Sequence, residues 1–98
     1  MVTKKIYKTL VVVLTMYNTD RRPHNKIEIH GDASGDIVSQ IESLEGTVIA
    51  NRFLIIVIAG QAGYKLVNVD YVGMAKEMAI SVEMIFQREE FIVEFSNS

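Results

Sequence analysis

The sequence predicts a single small α+β domain, a mainly antiparallel sheet with one or two helices on one face, in the order β-β-α-β-β-α-β. Two segments, Ile6 to Tyr17 and Lys26 to His30, have strand composition and are separated by a polar loop. The run Ile37, Val38, Ile41 and Leu44 repeats with helical spacing. A chain of 98 residues with no repeat, linker or low-complexity stretch fits one domain, residues 1–98.

The first strand is rich in β-branched and aromatic residues. Leu10 to Leu14 is apolar on both of its faces, which places the strand in the middle of a sheet or against another subunit. The cluster NTDRRPHN, which contains the single proline Pro23, reads as a loop. After it, K-I-E-I-H alternates, with Ile27 and Ile29 on one face and Glu28 and His30 on the other. That is a half-exposed strand, hairpinned to the first.

The stretch HGDASGDIVSQIESLEG reads as a strand end, a turn and a capped helix. Ser34 is the N-cap, Asp36 complements the positive end of the helix dipole, and Gly46 ends the helix in a left-handed conformation. Thr47 to Ala59, TVIANRFLIIVIA, reads as a second apolar strand, and GQAG as the turn that follows it. Beyond the turn, Tyr64, Leu66 and Asn68 alternate against Lys65, Val67 and Val69 as a strand of mixed exposure.

Tyr71 to Phe86 matches two periods. As a helix capped by Asp70, it aligns Tyr71, Met74, Ala75, Met78, Ala79, Val82, Ile85 and Phe86; as a strand, Met78, Ile80, Val82, Met84 and Phe86 alternate with their neighbours. The Met, Ala, Lys and Glu content favours a helix over at least the first half. Phe91 to Phe95 closes the chain as a strand.

Composition narrows the functional classes. Cysteine is absent, which excludes disulfides, thiolate nucleophiles and zinc-thiolate sites and fits a cytoplasmic protein. The hydrophobic share is 49%, more than so small a domain readily hides, and the excess points to a homo-oligomer. The initial lysines and Val-rich run lack a small-residue cleavage site, so they do not read as a signal peptide. Phe53 to Gly60 falls far short of the roughly 20 residues that span a bilayer.

The net charge of -2 is unevenly spread: residues 1–26 carry +5, the remainder -7. A pI near 5.6 argues against coating extended nucleic acid but leaves room for a local basic patch.

No nucleophile elbow is present, and the two histidines, His24 and His30, form no paired motif, so the expectation is a protein that is not an enzyme. His30, Asp32 and Asp36 match no metal-loop spacing, and no metal or cofactor is implied. Three segments carry candidate ligand contacts. Arg21, Arg22, His24 and Lys26 form a basic loop with bidentate phosphate donors. Ser34 and Gly35 open a helix whose first amides are unpaired. Gln61, Tyr64 and Lys65 supply an amide, a ring and a charge beside two glycines. Together they lead to the expectation of a non-catalytic homo-oligomer that holds a small anionic or nucleotide-like ligand at its loops. The alternative is a protein-protein interaction module, a small inhibitor or adaptor, using an acidic C-terminal surface of net -4 over Asp70 to Ser98.

Overall fold

The alternation of apolar residues along the strands builds a four-stranded antiparallel sheet, with two helices packed on one face. The computed structural model describes residues 2–17, 24–32, 35–47, 51–74 and 79–95. Its elements are β1 (Val2–Tyr17), β2 (His24–Gly31), α1 (Gly35–Glu42), α2 (Arg52–Gln61), β3 (Lys65–Met74) and β4 (Ala79–Glu94). The strands lie in the order β2-β1-β4-β3. The doubly apolar strand β1 is therefore central, as predicted, and β2 is its hairpin partner.

Register explains the core. Leu10, Val12 and Leu14 lie opposite Phe86, Met84 and Val82, so six apolar side chains form one layer on the helix-bearing face. Ile27 extends it on β2, and Ile37, Ile41, Leu44, Ile55 and Ala59 close it from above. Burying each large aliphatic or aromatic side chain contributes roughly 2 kcal/mol, and this layer is the main source of stability.

The stretch after β2 behaves largely as its sequence implies. Gly31 has φ 102, and a Cβ there would lie 2.2 Å from the Thr9 carbonyl oxygen, so only glycine lets β2 end so close to β1. The Asp32 amide then donates to that same carbonyl oxygen at 2.7 Å. Gly46 has φ 76, the left-handed conformation predicted for the helix end. Asn25 clamps this turn: its Oδ1 accepts from the Gly46 amide at 2.7 Å, and its Nδ2 donates to the Thr47 carbonyl at 2.9 Å. Ser34, the predicted N-cap, lies outside the described residues.

Several elements differ from expectation. The predicted strand Thr47 to Ala59 is helix α2 from Arg52 onward, and Gly60 and Gln61 belong to its last turn. An unbroken apolar run suits a buried strand or a buried helix equally, and the cap decides: Asn51 Oδ1 accepts from the Leu54 amide at 2.9 Å. The buried residues Ile55 and Ala59 then fall four apart. The predicted helix beginning at Tyr71 is strand, since β3 runs to Met74 with Asp70 in its interior rather than at a cap. From Ala79 the alternating strand pattern holds, and the separate strand expected at Phe91 to Phe95 is the far half of β4. Pairing with β1 along its whole length outweighs the helix propensity of Met and Ala. Residues 75–78 lie outside the described residues. His24 and Asn25, assigned to the loop, begin β2. The element order is thus β-β-α-α-β-β within the predicted α+β class.

The two long strands also outrun their neighbours. β2 pairs with β1 only from Leu10 onward, and β3 pairs with β4 only up to Gln87. Among the described residues, Val2 to Lys8 and Arg88 to Glu94 therefore pair only with each other, as a two-stranded arm roughly 20 Å long. The arm accounts for the elongated shape, 66 × 23 × 18 Å.

Candidate functional site

The base of the arm is where polar and aromatic side chains converge. Antiparallel register sets Tyr7 opposite Glu89, and Lys65 opposite Gln87. Between Leu66 and Asn68 the β3 register slips, which leaves Val67 as the extra residue of a bulge. The slip reverses the expected alternation: Leu66 and Val69 pack on the core, while Val67 is 52% exposed. Tyr7, Gly63, Lys65, Val67, Gln87 and Glu89 then surround an open cavity of about 390 Å³. That is within the range of small-molecule sites.

Its electrostatics are set by Lys5. The Lys5 ammonium sits 2.9 Å from Glu89 Oε1 and 5.5 Å from the centre of the Tyr7 ring. The hydrogen bond to Glu89 raises the Lys5 pKa above its ordinary value. The same bond holds the Glu89 carboxyl below its ordinary value, with Lys65 as a weaker contributor. Glu89 is therefore ionised and occupied. Lys65 adds a second positive charge that has no ion-pair partner among the described residues.

Next to the cavity, Arg88 is committed to the fold. Its guanidinium lies 5.0 Å from the Tyr64 ring centre and donates to the Ala62 carbonyl at 3.3 Å and to Glu90. Its aliphatic stem passes over Gly63, where a Cβ would come within 3.2 Å of Cδ.

The sequence-derived candidates separate. Lys65 lines the cavity. Tyr64 does not: it is 3% exposed, and its hydroxyl donates to the Asp32 carbonyl oxygen at 2.6 Å, so its ring is core and not a stacking surface for a ligand. Gln61 is exposed at the end of α2, outside the cavity lining. His24 and Lys26 lie opposite Tyr17 and Thr15, at the end of β2 remote from Gly31 and the start of α1 at Gly35. Five residues of extended chain put Lys26 roughly 16 Å from Gly31, the last residue of β2. Arg21, Arg22 and Ser34 lie outside the described residues. Tyr7 and Gln87 were not singled out from sequence, and Glu89 counted only as part of the acidic C-terminal surface, because only the pairing of β4 with both β1 and β3 brings them to Lys65.

Among the described residues, no group of three or more His, Asp or Glu side chains could hold a metal ion, and no helix is long and apolar enough to cross a membrane. The chain matches no family model, no curated protein and no solved structure.

Proposed function

We propose that this chain is a non-catalytic, self-associating binding protein that holds a small planar anion, nucleotide-like in character, in the cavity at the base of the arm. The observation that carries this reading is the convergence of Tyr7, Lys65 and Gln87 on one open cavity of about 390 Å³, with Glu89 tied down by Lys5. The Tyr7 ring offers a stacking face, and the Lys65 ammonium offers a point charge for a phosphate or carboxylate. The Gln87 amide both donates and accepts, which matches the edge of a heterocycle. Pairing Glu89 with Lys5 lowers the repulsion that an unpaired carboxylate would exert on an anion. The absence of cysteine supports a cytoplasmic setting.

The alternative, an acidic surface that recruits a partner protein, has less support. Glu89 is bound by Lys5 and Glu90 by Lys8 and Arg88, so part of the acidic C-terminal segment is neutralised within the chain.

Calorimetry at low salt with adenosine monophosphate as the probe tests the reading. Binding that Lys65→Glu weakens by at least about tenfold is the expected result, since the variant replaces attraction with repulsion at close range. No heat with the wild-type chain, or an affinity indifferent to Lys65→Glu, would remove it.

A further inference from the structure

The arm presents a problem of its own. A lone two-stranded ribbon is marginal in water, and this one bears large apolar side chains. Side chains alternate between its faces, so Tyr7 falls on the same face as Phe91 and Val93, and Phe95 follows directly on the end of β4. These four are 55%, 65%, 50% and 77% exposed. The face is opposite in parity to the helix-covered core, so neither helix shields it.

We infer that a second copy of this chain packs on this face of the arm and closes the cavity beside it. Three features select a second copy. The first is area: three aromatic rings more than half exposed leave roughly 400 Å² to be covered. The same face continues into the main sheet through the half-buried Val11, Val13 and Ile85, which brings it toward the roughly 800 Å² per partner of a stable interface.

The second is charge. Of the charged residues of the arm, Lys5 on β1 and Glu89 on β4 share the parity of Tyr7 and lie on this face, whereas Lys4, Lys8, Arg88, Glu90 and Glu94 lie on the other. A twofold axis parallel to the strands sets the Lys5 side of each copy over the Glu89 side of the other, so the face is complementary to itself. The third is geometry: with both helices on the opposite face, two sheets can stack face to face with their helices outward.

The consequence for the site is direct. Tyr7 belongs to the packing face and also lines the cavity, as does Glu89. A copy seated on Tyr7 therefore roofs the opening. This rests on the proposed function only for what the cavity holds; the interface stands on the apolar face.

Sedimentation velocity of the wild-type chain is expected to give twice the monomer mass of 11.0 kDa. Phe91→Glu combined with Phe95→Glu, both at exposed positions, is expected to weaken the dimer by at least about 30-fold. Phe53→Glu, on the outer face of α2, is the control and leaves the dimer intact. A wild-type monomer at about 100 μM, about 100 times the chain concentration at which a dimer of Kd about 1 μM is half assembled, overturns the inference, as does a dimer broken by Phe53→Glu and not by the double variant. Closure is read separately by Lys65→Cys, the only thiol in such a chain. Its labelling by a maleimide is expected to be about tenfold slower in the dimer than in the Phe91→Glu, Phe95→Glu background, and equal rates reject the roof. A wild-type dimer that ignores adenosine monophosphate, with Lys65→Cys still protected from labelling, would sink the ligand reading and leave this inference standing.

Discussion

The Tyr64 hydroxyl donates to the Asp32 carbonyl oxygen at 2.6 Å, joining the start of β3 to the end of β2. These are the two edge strands, with β1 and β4 between them. Tyr64→Phe keeps the buried ring and removes the bond, so a loss of about 1–2 kcal/mol is expected. Urea unfolding followed by circular dichroism measures it, and unchanged stability would show that the bond does not hold the edges together.

Gly31→Ala is expected to be costlier than a surface glycine replacement. The new methyl would meet the Thr9 carbonyl oxygen at 2.2 Å in a backbone conformation with φ 102. Strain and displacement together should cost about 3 kcal/mol, read as a lower urea midpoint. Gly35→Ala, with nothing within 4 Å of the added carbon, is the matched control and should change little.

Asn51→Ala tests whether the cap makes the apolar run TVIANRFLIIVIA helical from Arg52. Losing the acceptor for the Leu54 amide should cost about 1 kcal/mol, whereas Asn51→Asp should retain most of it. Amide exchange at Leu54, followed by NMR, should speed up in the alanine variant first.

The Lys5–Glu89 pair sets a pH window. Glu89 has a lowered pKa in the fold, so its contribution is present above its ordinary titration near pH 4.5 and is lost as pH falls through the lower folded value. Lys5 has a raised pKa, so its contribution is complete below pH 10.5 and is lost as pH rises through the higher folded value. Between these limits the pair is constant. Both side chains are exposed, so the stability effect of Glu89→Gln at neutral pH should be small and should shrink further in salt. Titration of the Glu89 side-chain carbon resonance gives the direction directly: a midpoint above the ordinary value contradicts the geometry.

Much of the local structure was legible because it is written in short-range chemistry. Alternation at Ile27 and Ile29 marked β2, spacing at Ile37 and Ile41 marked α1, and Gly46 marked the helix end. The apolar runs were not decidable in the same way. RFLIIVIAGQ and the approach to AISVEMIF satisfy two periods at once, and one polar cap and one long pairing partner choose between them.

By itself, the sequence determined an α+β domain with a central apolar strand, a first helix followed by the left-handed Gly46, and large apolar side chains left exposed. Only the tertiary structure decided where those side chains lie and which polar groups meet. Residues as distant as Tyr7 and Glu89 become neighbours through β1–β4 register, which depends on pairing summed over two long strands. Lys65 joins them because the bulge at Val67 shifts β3 against β4. Neither alignment has a local signature, since each is fixed by contacts between segments that the chain brings together only on folding.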